Sequence, residues 1–192
     1  MTPINTLRAA FATSLAAFTL AGVLGAFGQA TTPANPTSTM TLTAVSTARG
    51  ANTLVANSAT AGSVVVSSFP ISAQYRSAMQ PGLRLSVNDP TSTGWGGVSV
   101  QVDEWSAAPT FTNGDRGAFA VATGSAYHLG SFTCTFAAVA GDGAYAECSP
   151  LVGNVRIPAG IGTVYWTVEA TSATGVTSAS ATTMTLTAEV LE

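Results

Sequence analysis

The sequence predicts an all-β fold: an antiparallel β-sandwich or jelly roll behind an N-terminal signal helix. Three observations predict it. Short runs of alternating apolar and polar residues recur along the chain, and that period of two places one face of a strand inward. Turn signals built from Gly, Pro, Asn and Asp separate these runs. After residue 30 no stretch holds a helical period, and Ile71 to Met79 is the one short candidate. A purely parallel sheet would need helical crossovers, which the pattern does not supply.

The chain opens with MTPINTLR, which carries Arg8 and the terminal amine, and then runs from Ala9 to Phe27 without a charge before GQATT. This is the pattern of a secretory signal peptide over residues 1–30, cleaved somewhere in 25–30. A cut after Ala30 places Gly28 and Ala30 at the small-residue positions; a cut near Ala26 also fits. The competing reading is an uncleaved membrane anchor, because the apolar run has roughly the length that spans a bilayer. A pilin-type helix continuing past the cut is disfavoured by Pro33 and Pro36.

Residues 31–45 read as a Pro- and Thr-rich linker, TTPANPTS, leading into a strand, and residues 46–192 as the β-sandwich domain. The strand carries TMTLTA at residues 39–44, and the same six residues recur at 183–188. In the first copy Met40, Leu42 and Ala44 share one face and the threonines the other. Threonine is β-branched and suits a pleated, half-wetted surface. Abundant Thr and Ala would by themselves make two strands look alike; the sharper reading is that either copy fits the same kind of slot. Further strands are expected over 62–68, 83–88, 97–104, 118–123, 131–139, 144–148, 151–157, 163–170 and 176–190. Turns are expected at Pro81-Gly82, Asn88-Asp89-Pro90, Asn113-Gly114-Asp115, Gly141-Asp142-Gly143 and Pro158-Ala159-Gly160.

Composition limits the partners. Charged residues are only 8% of the chain, lysine is absent, and the net charge is -3. The arginines, at 8, 49, 76, 84, 116 and 156, are scattered singly. No basic patch is present to neutralise phosphates, so nucleic acid is not an expected partner. No membrane contact is expected once the signal is removed. A polar but weakly charged surface lacks strong self-repulsion and tolerates packing against copies of itself.

Cys134 and Cys148 flank an apolar run with Gly141-Asp142-Gly143 near its centre, a hairpin signal that sets them on neighbouring strands. In an exported chain this predicts a structural disulfide. Trp166 alternates with Val164 and Val168 and reads as core. Val98, Val100 and Val102 share a face, and Trp105 breaks that alternation at a strand end. Trp95 lies in TGWGG, where the glycines could leave the indole exposed, so it stands as a candidate for stacking on a glycan beside the plainer packing role.

No catalytic set emerges, and the expectation is a protein that is not an enzyme, with no metal and no cofactor. A zinc site needs three or four ligands, and the chain has one histidine, His128, and two cysteines expected to bond each other. G-x-S-x-G is absent. The acids are spread out, and the adjacent Asp103 and Glu104 would point to opposite faces of a strand. The loops NGDRG and AGDGA lack the dense acidic spacing of an EF-hand.

The layout as a whole resembles the TasA/camelysin family of secreted biofilm fibre proteins. The resemblance rests on Gly25-Ala26-Phe27 near the signal end, the spacer before MTLTAVS, and the tail with Pro158 to Gly160, Val164 to Val168, Gly175 and Met184 to Glu189; Pro81-Gly82 before LRLSVND is similar in a looser way. The chain departs from that family in lacking lysine, in its cysteine pair and in ending EVLE. The metalloprotease activity described for camelysin is not expected, since no zinc-ligand set is present. The resemblance implies a secreted jelly-roll subunit, located outside the cell or at its surface, that polymerises with itself by donor-strand exchange, with Met40, Leu42 and Ala44 on the polymerising strand. The alternative is a monomeric cell-surface carbohydrate-binding or adhesion module using Trp95. A virion or tail protein with an Ig-like fold is a third reading, disfavoured by the export signal.

Overall fold

The computed structural model describes residues 35–44, 48–71, 77–89, 94–139, 143–172, 177–178 and 182–191. The expected signal peptide, residues 31–34 of the linker, the core of the helix candidate at 71–79 and Gly141-Asp142 of the hairpin turn lie outside the described residues.

The described chain is almost entirely antiparallel β. Its strands are β1 (Thr37–Thr41), β2 (Thr53–Val55), β3 (Ser67–Pro70), β4 (Ala78–Asn88), β5 (Ser99–Trp105), β6 (Thr110–Phe111), β7 (Val121–Thr123), β8 (His128–Thr135), β9 (Ala137–Val139), β10 (Gly143–Pro150), β11 (Val155–Ile157), β12 (Thr163–Ala170) and β13 (Thr183–Leu191). Short 3₁₀ turns precede β3, at Ala61–Ser63, and β8, at Ser125–Tyr127. One eleven-stranded sheet runs in the order β1-β13-β4-β10-β8-β5-β12-β2, with β11 on β4, β3 on β12 and β9 on β10; β6 and β7 form a separate ribbon.

The sheet curls until its two ends approach. Thr43 N–H, just past β1, donates to Ala56 O, just past β2, at 3.1 Å. Trp166 Nε1 on β12 donates to Ser38 Oγ on β1 at 2.9 Å. Inside the curl, one face of each long strand supplies the core. Leu83, Leu85 and Val87 come from β4, Val100 and Val102 from β5, Phe132 from β8, Val164, Trp166 and Val168 from β12, and Met184, Leu186 and Ala188 from β13. Period-two burial is cleanest in β13, whose exposure alternates from Thr183 to Val190, as the TMTLTA pattern requires.

Several boundaries differ from the sequence reading: β7 and β11 are shorter than the strands expected at 118–123 and 151–157, the strand expected at 131–139 is divided between β8 and β9, and the one expected at 176–190 is β13. Pro81-Gly82 is no turn but lies inside β4. It falls where β10 pairing ends at Leu83 and β11 pairing begins at Gln80, opposite a register slip in β13 between Glu189 and Leu191; a proline is tolerated where the ladder is already interrupted. The strand expected at 62–68 is a 3₁₀ turn followed by β3. The short strand β2, three residues long, falls outside every expected strand.

Candidate functional site

The two TMTLTA copies meet each other. β1 pairs antiparallel with β13, Thr39 facing Thr185, Met40 facing Met184 and Thr41 facing Thr183. Because the strings are identical and Met40 faces its own counterpart, the pair has a local two-fold relation centred on the two methionines. The equivalence extends one residue outward, Ser38 corresponding to Thr182. On the outer face Thr39 Oγ1 and Thr185 Oγ1 are 2.9 Å apart. On the inner face Met40 and Leu42 are 7% and 3% exposed and cap the core beside Met184 and Leu186. Ala44 departs from the expected polymerising face: it is exposed, because the chain leaves the ladder after Leu42 and the alternation ends with it.

β1 is an edge strand. Leu42 N–H donates to Thr182 O at 2.9 Å, and Ala188 N–H donates to Pro36 O at 3.0 Å. Antiparallel alternation therefore turns the backbone groups of Met40 toward β13 and those of Thr37, Thr39 and Thr41 away from it. No described strand forms a ladder with that outer side. A groove of about 480 Å³ borders the start of the strand, between Asn35, Arg84, Thr187 and Leu191.

Trp95 is not the exposed aromatic that its glycine neighbours suggested. It is 4% exposed and packs edge-on against Phe136, with ring centroids 5.5 Å apart. The glycines bring it in rather than out. Gly94 and Gly97 adopt positive φ, 91° and 81°, which turns the loop, Gly97 N–H donates to Phe136 O at 2.7 Å, and a Cβ at Gly96 would sit 2.9 Å from Ala138 Cβ. The Arg49 guanidinium lies 5.8 Å from the indole centroid.

Arg49 also forms a buried ion pair that the scattered single arginines did not signal. It contacts Asp115 Oδ2 at 3.0 Å and donates to Ser178 Oγ at 2.6 Å, while Ala56 N–H donates to Asp115 Oδ1 at 2.8 Å. Burial pulls Arg49 below its ordinary range, opposed by Asp115. Burial pushes Asp115 up, opposed by Arg49. The NGDRG carboxylate thus holds loops together through an arginine.

Cys134 and Cys148 are bonded, directly opposite one another on β8 and β10, with Cα atoms 4.4 Å apart.

Asp103, His128 and Ser131 do converge, on the outer face of β5 and β8. Ser131 Oγ donates to Asp103 Oδ1 at 2.5 Å, and His128 Nε2 lies 3.3 Å from the same oxygen and 3.2 Å from Ser131 Oγ. A hydrolytic triad needs the carboxylate on one imidazole nitrogen and the serine on the other. Here both sit at Nε2, so the imidazole does not relay between them. Glu104 points the other way, into the core, as alternation from Asp103 requires. It is fully buried and accepts a hydrogen bond from Gln80 Nε2 at 2.9 Å. Burial raises its carboxyl from 4.5 to about 8. Among the described residues, no group of three His, Cys, Asp or Glu side chains is placed to hold a metal ion, and no helix is long and apolar enough to cross a membrane.

No protein-family model, curated protein or solved structure matches the chain.

Proposed function

We propose that the chain is a secreted structural subunit whose curled sheet acts as a jelly-roll-type module and polymerises into extracellular fibres by exchanging β1 between copies. The observation that carries this reading is the pairing of β1, a terminal edge strand, with an identical string in β13. A β1 donated by a neighbour brings the same residues to the same register, so the ladder that opens within one copy re-forms between two. Such an exchange is close to neutral in interaction energy, and subunit concentration sets its extent. Its rate is set by release of β1, which exposes Met40 and Leu42 at a cost of about 3–6 kcal/mol for the two side chains. Donation to the next copy is head-to-tail and therefore runs on into a filament unless it closes into a ring. The apolar leader and the resemblance to TasA and camelysin support the same reading. Lysine is absent from the chain, so the fibre has no lysine isopeptide links and is held by strand pairing. The glycan-binding alternative loses its motive with the burial of Trp95.

A locked arm tests this. In Thr39→Cys/Thr185→Cys the cysteines face each other on the exposed side, at a position that is not hydrogen-bonded across the ladder and has the close Cα spacing a disulfide needs. Oxidised as a dilute monomer, this variant should form no filaments by electron microscopy, and mild reduction that spares the buried Cys134–Cys148 bridge should restore them. Filaments from the oxidised, monomer-locked variant would refute the reading.

A further inference from the structure

We propose that Ser131 and Gln101 join in an ester between β8 and β5, formed by the folded chain itself with loss of ammonia. The bond needs no exchange of β1 and stands apart from the fibre reading. The outer face of the two strands brings the reacting groups together. Asp103 pairs with Ser131 and Gln101 with Thr133, so Gln101 lies diagonally across from Ser131, within reach of a long side chain. One carboxylate oxygen holds both groups: Asp103 Oδ1 accepts from Ser131 Oγ at 2.5 Å and from Gln101 Nε2 at 2.9 Å. A carboxylate only accepts, so the amide must turn its nitrogen toward Asp103. The hydroxyl that attacks and the nitrogen that leaves thus share one proton acceptor. Asp103 is buried and its Oδ2 has no partner, so its hydrogen bonds all run through Oδ1. His128 Nε2, 3.3 Å from Oδ1 and 3.2 Å from Ser131 Oγ, completes the cluster. On the other flank, β12 sets Glu169 directly opposite Gln101. Burial and, after it, the Asp103 charge favour the protonated form of Glu169, an O–H donor suited to the amide oxygen.

The step balances without a co-reactant. Ser131 Oγ bonds to Gln101 Cδ, and the hydroxyl proton passes to Asp103 Oδ1. The Cδ–Nε2 bond then breaks, Asp103 returns the proton to the nitrogen, and ammonia leaves. The Glu169 O–H stabilises the oxyanion that forms on Oε1 in between. Attack within one folded chain has the high effective concentration of an intramolecular reaction, and ammonia lost to solvent as ammonium does not return. Lysine is absent from the chain, so a hydroxyl takes the place that a lysine amine would fill in an amide link. The ester ties β5 to β8 as the disulfide ties β8 to β10, and together they join three neighbouring strands.

Intact-mass spectrometry of the purified, folded chain tests this. Wild type should be lighter than its disulfide-bonded sequence by one ammonia, in all chains or in a share that grows as free ammonia appears. Tandem spectra of a digest should show one branched peptide joining the Gln101 and Ser131 segments, and hydroxylamine should open it at Gln101. Ser131→Ala and Asp103→Asn should keep the full mass, Ser131→Thr should still close, and Glu169→Ala should slow closure about a hundredfold. Circular dichroism reports whether each variant folds, and the branched peptide in wild type decides the matter without them. Folded wild type that stays at full mass would overturn the proposal. So would an ammonia loss that maps elsewhere, as to a succinimide at Asn113-Gly114, or one that persists in folded Ser131→Ala or Asp103→Asn.

Discussion

Glu104 is fully buried on the core face of β5, and its hydrogen bond comes from Gln80. Gln80 Oε1 and Glu104 Oε2 are both buried without a partner. A proton on the carboxyl makes one of these two acceptors a donor, so the site suits a neutral acid beside an amide. With the carboxyl raised from 4.5 to about 8, the folded protein binds a proton across that window and the unfolded chain does not. Stability is therefore fully present below pH 4.5 and is lost as pH rises toward 8. Each pH unit contributes 1.36 kcal/mol, so the shift from 4.5 to about 8 gives an upper bound of about 5 kcal/mol, with about 3 lost by pH 7. Glu104→Gln keeps the shape, supplies an N–H to the same side and cannot ionise. Urea midpoints measured at unit steps from pH 5 to 8 should fall for the wild type and fall much less for Glu104→Gln. The variant should lead at pH 7 by on the order of 1 M urea with an unchanged slope m. Some decline should persist in the variant, because burial also raises Asp115 and Glu169. Wild-type midpoints that stay level over this range, or a variant that declines as steeply, would show that Glu104 does not carry the effect.

Arg49→Ala strands Asp115 in a buried site and should lower stability by about 3–5 kcal/mol in chemical denaturation. Replacing both Cys134 and Cys148 with Ala frees a loop of sequence separation 14, and the unfolding free energy should drop by about 3 kcal/mol. Leu186→Ala removes a fully buried side chain from the strand that receives β1 and should cost about 2–5 kcal/mol. Trp95→Ala should likewise destabilise the fold and leave glycan-array profiles unchanged.

Strands long enough to show their alternation were legible. β12 and β13 follow directly from Val164-Trp166-Val168 and from TMTLTA, and the cysteines announce the β8–β10 hairpin. Trp105, which breaks the valine alternation, sits where β5 slips register against β8, between Glu104 and Trp105. What stayed hidden depends on partners. The three residues of β2 are too few to show a period. Pro81-Gly82 reads as a turn until β10 and β11 are seen to divide β4 between them. The TMTLTA repeat showed two similar strands, but their pairing with each other is a matter of topology. Glu104 could have been found: Val98, Val100 and Val102 share a face, and two residues further on that face is Glu104. The Arg49–Asp115 pair joins residues 66 apart in sequence, and no local pattern connects them.

Passage of β1 between copies underlies the whole functional reading. Two singly substituted chains, Thr39→Cys and Thr185→Cys, isolate that step when mixed under assembly conditions and oxidised. Neither can cross-link β1 to β13 within itself, so a 39–185 bridge joining the two different chains reports exchange alone. If strands exchange, this mixed dimer is the main covalent product on a non-reducing gel and grows in step with filaments. Filaments that grow without it would mean that β1 stays at home.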